Sequence, residues 1–213
     1  MRISHKSHLI YFSIPKTGSE SVREFLDPIS EEKIVHFTEI SESTPFYSHM
    51  RPCEVKNVFF KKGWNFDVYM RVATVRNPWA RLASLYKMMC RNWGDRWQGT
   101  FAEWVYGLDP TGRSTNHMPE KWYAHGLMSM TNFLSDKNGE LMVDRIFRIE
   151  DQTTDFHTLL ITRAGAPLNE QRLMHTNQAE QSYEWQTMYS KETQAHVAEL
   201  YADDIARFGY TFG

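Results

Sequence analysis

The chain has 213 residues, 41% of them hydrophobic and 23% charged, with a net charge of −2. This predicts one globular domain over residues 1–213, and the near-neutral charge excludes a general nucleic-acid coat or a binder of anionic membranes. Cys53 and Cys90 are the only cysteines, too few for a disulfide framework and too far apart for a paired zinc knuckle, so a reducing compartment is expected.

Residues 1–15 contain no apolar run of the length a signal peptide or membrane anchor needs. "HLIYFSI" then predicts a strand over about residues 8–14, ended by Pro15. In "SESVREFL" the apolar residues Val22, Phe25 and Leu26 have helical spacing. Strand, loop and helix in that order turn backbone N–H groups toward an anion.

Residues 68–75 are almost continuously apolar, as in a buried parallel strand. Asn77 followed by Pro78 starts a helix: a side-chain cap, then proline in the first turn. Trp79, Leu82, Ala83, Tyr86, Met89 and Cys90 form its apolar stripe, with Arg81, Ser84 and Arg91 off it.

"GTFAEWVYGLDPTGRSTNH" predicts a short helix and a loop, "KWYAHGLMSMTNFL" a helix with an internal glycine, and "DKNGE" a turn. "DRIFRIE" reads as a strand and "TTDFHTLLITRAG" as a helix with a glycine stop. "SKETQAHVAELYADDIARFGY" reads as one long helix. Ser190 caps it, Val197, Leu200, Tyr201, Ile205 and Phe208 form its buried stripe, and Gly209 ends it. Strands alternating with helices predict an α/β fold, a central parallel sheet covered on both faces.

The loop "PKTGSES" lacks the two-glycine pattern of a Walker A motif, since Lys16 precedes its single glycine, Gly18. A short loop can still wrap an anion with the N–H groups of Thr17, Gly18, Ser19, Glu20 and Ser21, while Lys16 adds a point charge. The alternative is an ordinary strand-to-helix turn with a serine cap. Arg76 leaves the end of a buried strand, where ligands sit in open α/β sheets. Taken alone, it and Ser84 also fit a surface arginine and a neutral helix serine.

Together, "PKTGSES" and "RNPWARLASLY" resemble the paired signatures of the sulfotransferases, in particular the branch containing the carbohydrate O-sulfotransferases. "SHMRPCEVKN", "FRIEDQTTDF" and the tail from His175 onward extend the resemblance over most of the chain, with residues 92–120 weakly matched. The resemblance implies a P-loop-kinase-like fold and 3′-phosphoadenosine 5′-phosphosulfate (PAPS) as sulfonyl donor, leaving as PAP, with no metal. The first loop, Lys16 to Ser21, would hold the 5′-phosphosulfate. Arg76 and, eight residues later, Ser84 would hold the 3′-phosphate. Glu20 departs from the family's usual hydroxyl. In the first turn of a helix its charge is favourable by about 0.3–1 kcal/mol if it points outward, which is the expected direction.

Sulfonyl transfer asks for positioning, a cation at the leaving phosphate and a base at the acceptor hydroxyl. Lys16 is assigned the first charge role and His49 the base, with His36 as runner-up. His5 and His8 are expected to be solvated, and His117 and His175 to touch acceptor or nucleotide. Arg148 and Glu150 are read as a buried structural ion pair, with a place in the cofactor wall as the alternative. Trp93, Trp97 and Trp104 are read as core, with sugar stacking as the alternative.

The expected partner is a glycan or small molecule with a free hydroxyl, not nucleic acid. The lack of an anchor suggests a cytoplasmic, prokaryotic or viral setting. Two other functions remain open: a P-loop-type phosphotransferase acting on a small molecule, and a non-catalytic nucleotide-binding module.

Overall fold

A computed structural model describes residues 1–94, 97–113, 121–151, 154–165 and 184–213. In chain order, β1 (Arg2–Ser4) and β2 (Leu9–Phe12) lead through the Lys16 loop into α1 (Ser19–Leu26). Two short strands follow, β3 (Ile34–Val35) and β4 (Phe46–Tyr47), then α2 (Pro52–Lys61) and β5 (Met70–Val75). The helices α3 (Pro78–Trp93), α4 (Phe101–Tyr106), α5 (Lys121–Leu127) and α6 (Met130–Leu134) come next. β6 (Arg145–Arg148), α7 (Thr154–Ala164), α8 (Lys191–Leu200) and α9 (Ala202–Phe208) complete the described elements.

The central sheet has the order β1-β2-β5-β6. β2 runs parallel to β5, with Phe12 opposite Ala73, and β5 parallel to β6, with Val75 opposite Arg148. Residues 13–18, 76–77 and 149–151 therefore leave the sheet at one edge, the carboxyl ends of three strands, where open α/β sheets bind ligands. β1 is antiparallel to β2, so the sheet is mostly parallel, with one strand that the sequence reading missed. Three residues are too few for a periodic signal.

Side chains alternate across the sheet. Leu9, Tyr11 and Val72 pack with Val22, Phe25 and Leu26 of α1 and with Phe156 and Leu160 of α7. Ile10, Phe12, Ala73 and Val75 face a second layer with Phe59, Phe133 and Leu134. An eight-residue helix is marginal on its own. Burial of Val22, Phe25 and Leu26, about 1.5–3 kcal/mol each, is what holds α1 behind the loop.

Two expected helices are broken. Residues 121–134 form α5 and α6, joined at Ser129, whose side chain accepts from Asn132 N. The long C-terminal helix divides at Tyr201 (φ −112°, ψ 28°). The Tyr201 hydroxyl donates to Leu127 O at 2.6 Å, and the Asp204 carboxylate accepts from Met130 N (2.8 Å) and Thr131 N (2.7 Å). Both side chains reach the α5–α6 corner. Gly209 ends α9 in the left-handed region, as expected.

α3 also departs from a one-sided stripe. Arg81 and Ser84 are buried, Arg81 completely, and the Arg81 guanidinium donates to Gly126 O and Met128 O at 2.8 Å each. Burial lowers its pKa, and the nearby carboxylate of Asp204 opposes that shift. Trp104 is core, its indole donating to Tyr123 Oη at 2.6 Å, and Trp97 packs partly buried on the same layer. The Trp93 side chain, His117 and His175 lie outside the described residues. Among the described residues, no helix is long and apolar enough to cross a membrane.

Candidate active site

The loop after β2 is built from two left-handed residues flanking Thr17: Lys16 at φ 67° and Gly18 at φ 65°. Such alternation curls successive N–H groups around a concavity suited to an anion. For lysine the left-handed conformation costs about 1–2 kcal/mol, and strain of this kind persists where surrounding contacts enforce it. Here they come from below. Thr17 Oγ1 donates to Ile14 O at 3.0 Å and lies 3.3 Å from Thr74 Oγ1, which in turn is 2.7 Å from the Tyr11 hydroxyl.

Gly18, not a serine, is the N-cap of α1, and it makes no side-chain cap bond. This corrects the alternative of a serine-capped turn. The first amides of α1 have no side-chain cap at Gly18, in the arrangement that receives anions at helix N-termini. A Cβ on Gly18 would lie 2.5 Å from Ile149 Cδ1, so the residue after β6 packs against the loop, and a side chain at Gly18 would have to push Ile149 aside as well as take a left-handed angle. Glu20 is exposed, in the first turn of α1.

The second signature meets the first here. Arg76 Nη1 donates to Lys16 O at 3.3 Å across 60 residues of chain. Lys16 Nζ reaches Met88 Sδ of α3 at 3.7 Å, a weak acceptor that brings no counter-charge. Asn77 caps α3 as expected, accepting from Trp79 N and Ala80 N. Two cations, a curled set of amides and an uncapped helix start thus share one sheet edge, a donor set that fits a phosphate-sulfate group.

Glu150 accepts from Asn77 N (2.7 Å) and from the Tyr210 hydroxyl (3.0 Å), fastening the start of α3 to the C-terminal tail. Arg148 pairs with Asp151 at 3.1 Å, not with Glu150 as expected, and its guanidinium lies over the Tyr210 ring.

His49 follows β4 in a turn. Its Nδ1 lies 2.7 Å from Ser13 O, at the end of β2. A carbonyl oxygen only accepts, so Nδ1 carries the proton and Nε2 holds the lone pair. Burial above all, then nearby positive charge that includes Arg23, lowers the His49 pKa to about 3, so the ring is neutral at physiological pH. Arg23 of α1 reaches the preceding residue, Nη1 donating to Ser48 Oγ at 3.2 Å. His36 is exposed and its Nδ1 accepts from Thr38 N, capping a short turn. His5 is half-buried between Tyr69 and Glu32, not solvated as expected, whereas His8 is exposed.

Sequence reasoning passed over Arg23, Thr74 and His125, each of which touches the loop or the His49 turn. A helix arginine, a strand threonine and a helix histidine have no local pattern of their own.

The strand–loop–helix segment lies at the carboxyl edge of a mostly parallel sheet in an α/β fold. A family model described as the Sulfotransferase family matches residues 1–211, and the chain belongs to that family. It is a sulfotransferase: it moves a sulfonyl group from a donor to a hydroxyl-bearing acceptor. No curated protein and no solved structure gives a match.

Proposed function

We propose that this single domain, residues 1–213, transfers the sulfonyl group of PAPS to a hydroxyl on a carbohydrate by in-line displacement. The observation that carries this reading is the Arg76 Nη1 bond to Lys16 O at 3.3 Å, which joins the two segments whose pairing resembles the sulfotransferase signatures. When bound, PAPS supplies the sulfonyl group and leaves as PAP.

The amides of Thr17, Gly18, Ser19, Glu20 and Ser21 hold the 5′-phosphosulfate, with Ser19 and Ser21 also offering hydroxyls. Lys16 meets the charge that grows on the leaving phosphate. Arg76, with Ser84, holds the 3′-phosphate. His49 takes the acceptor proton at Nε2, the nitrogen that keeps its lone pair while Nδ1–H donates to Ser13 O. The carbohydrate class rests on the likeness of the paired segments to that branch. A cytoplasmic setting is in keeping with Cys53 and Cys90, which are both free thiols.

The test is incubation with sulfur-labelled PAPS and a panel of glycans and small alcohols, alongside PAP and ADP binding. Label on a glycan and tighter binding of PAP than of ADP are expected. Label on small alcohols alone would overturn the carbohydrate assignment. PAP and ADP binding equally would overturn the assignment of Arg76 and Ser84 to the 3′-phosphate.

A further inference from the structure

His125 lies on α5, 76 residues from His49 in the chain. Its side chain is buried, and its Nδ1 stands 2.8 Å from His49 O. The carbonyl can only accept, so Nδ1–H donates. The imidazole stacks on Tyr47 (24° between planes, centroids 6.3 Å apart) and meets Phe133 edge-on at 5.5 Å. It is held from behind. Arg81 of α3 donates to Gly126 O, the next carbonyl in the chain, and to Met128 O. A Cβ on Gly126 would lie 3.0 Å from Leu85 Cδ1, so α5 rests directly on α3.

The turn that His125 grips has one backbone bond of its own, Met50 N to Tyr47 O at 3.3 Å, and the Met1 amino group donates to Ser48 O at 2.5 Å. Residues 48–50 lie outside any helix or strand. Ser13 fixes the His49 ring, Arg23 fixes Ser48, and His125 fixes the peptide carbonyl of His49. Without that donor a carbonyl in a largely buried setting loses its partner, and the peptide is left on its single bond from Met50 N to Tyr47 O, 3.3 Å long. A proton acceptor displaced by about 1 Å loses roughly 100-fold in rate.

We propose that His125 is a positioning residue for the proton-accepting turn: its Nδ1–H, backed by the stack on Tyr47, fixes the His49 peptide and so the direction of His49 Nε2. This rests on the reading of His49 as the base.

The test uses His125→Phe, His125→Asn and His125→Gln in the full chain, each with and without His49→Ala, reading sulfonyl-transfer turnover and PAP affinity. Asn places an amide N–H where Nδ1 stood, Gln where Nε2 stood, and Phe keeps the stack without a donor. His125→Phe and His125→Gln are expected to lower turnover roughly 10–100-fold with unchanged PAP affinity. His125→Asn should retain most of it, and none should add to the loss in His49→Ala.

Equal turnover of the Asn and Gln variants would overturn the proposal even if the Phe variant does not fold. So would an undiminished loss from any variant in the His49→Ala background. Full turnover in His49→Ala alone would instead overturn the reading of His49 as the base, and the proposal with it.

Discussion

The Lys16 loop and the His49 turn lie side by side, each made in a different way. The loop is placed by the local chain, between the end of β2 at Phe12 and the start of α1 at Ser19, and distant Thr74 and Arg76 then brace it at Thr17 and the left-handed Lys16. The turn is held by distant residues, with Met1, Ser13, Arg23 and His125 all bonded to residues 48 and 49. An anion cradle needs only backbone amides in sequence, so a short motif encodes it. A base needs one ring nitrogen aimed in one direction, which no short segment can fix alone.

The largest expected effect separates these two regions. His49→Ala is expected to lower turnover about 10²–10⁴-fold while PAP affinity stays unchanged. Lys16→Ala should lower both, since that ammonium is assigned to donor and leaving group together. Parallel losses of affinity and rate in both variants would erase the distinction.

Arg76→Ala tests the loop side further. Loss of a charge-assisted contact worth about 1.5–3 kcal/mol should weaken PAP binding with little change for ADP, measured by calorimetry. Equal loss for both nucleotides would show that Arg76 acts through its bond to Lys16 O.

Gly18→Ala sharpens the comparison through the backbone. The left-handed angle alone costs about 1–2 kcal/mol for alanine, and the clash with Ile149 adds to it. Denaturant unfolding should show that loss, with partial recovery in Gly18→Ala combined with Ile149→Ala. Unchanged stability of the single variant would mean that the loop is not held as tightly as its contacts indicate.

A smaller effect concerns the turn and pH. The His49 pKa is about 3 in the folded chain against an ordinary 6.5, so the unfolded chain takes up the proton first. The stability gained from the neutral ring is complete above pH 6.5 and is lost as pH falls from there through about 3. His49→Asn keeps an N–H for Ser13 O and cannot titrate. Its stability should therefore fall less steeply with acid, by up to about 1.4 kcal/mol per pH unit. Identical slopes would mean that the ring is solvated.

The smallest effect belongs to Glu20. Glu20→Ser should leave folding intact and PAPS affinity equal or slightly higher, because the carboxylate is exposed. A collapse of affinity would make Glu20 a direct ligand and rewrite the loop.

Local chemistry made β2, β5, α1 and the Asn77–Pro78 start of α3 legible in the sequence. An apolar run, a cap and a helical stripe each lie within a few residues. β1 was too short to leave a period. The breaks at Ser129 and Tyr201 were invisible because Tyr201, Asp204 and Arg81 reach across the fold to the α5–α6 corner. Their spacing fits one continuous helix as well as two. His125 came to the His49 turn by the same route, α5 lying on α3 through Gly126. The order of strand, loop and helix is set by neighbours in sequence, so the sequence determined where the loop lies, while Thr74, Arg76 and Ile149 hold its shape. Bonds between residues 74 or 76 positions apart exist only once helices have packed, so tertiary structure decided the corner and the aim of the base.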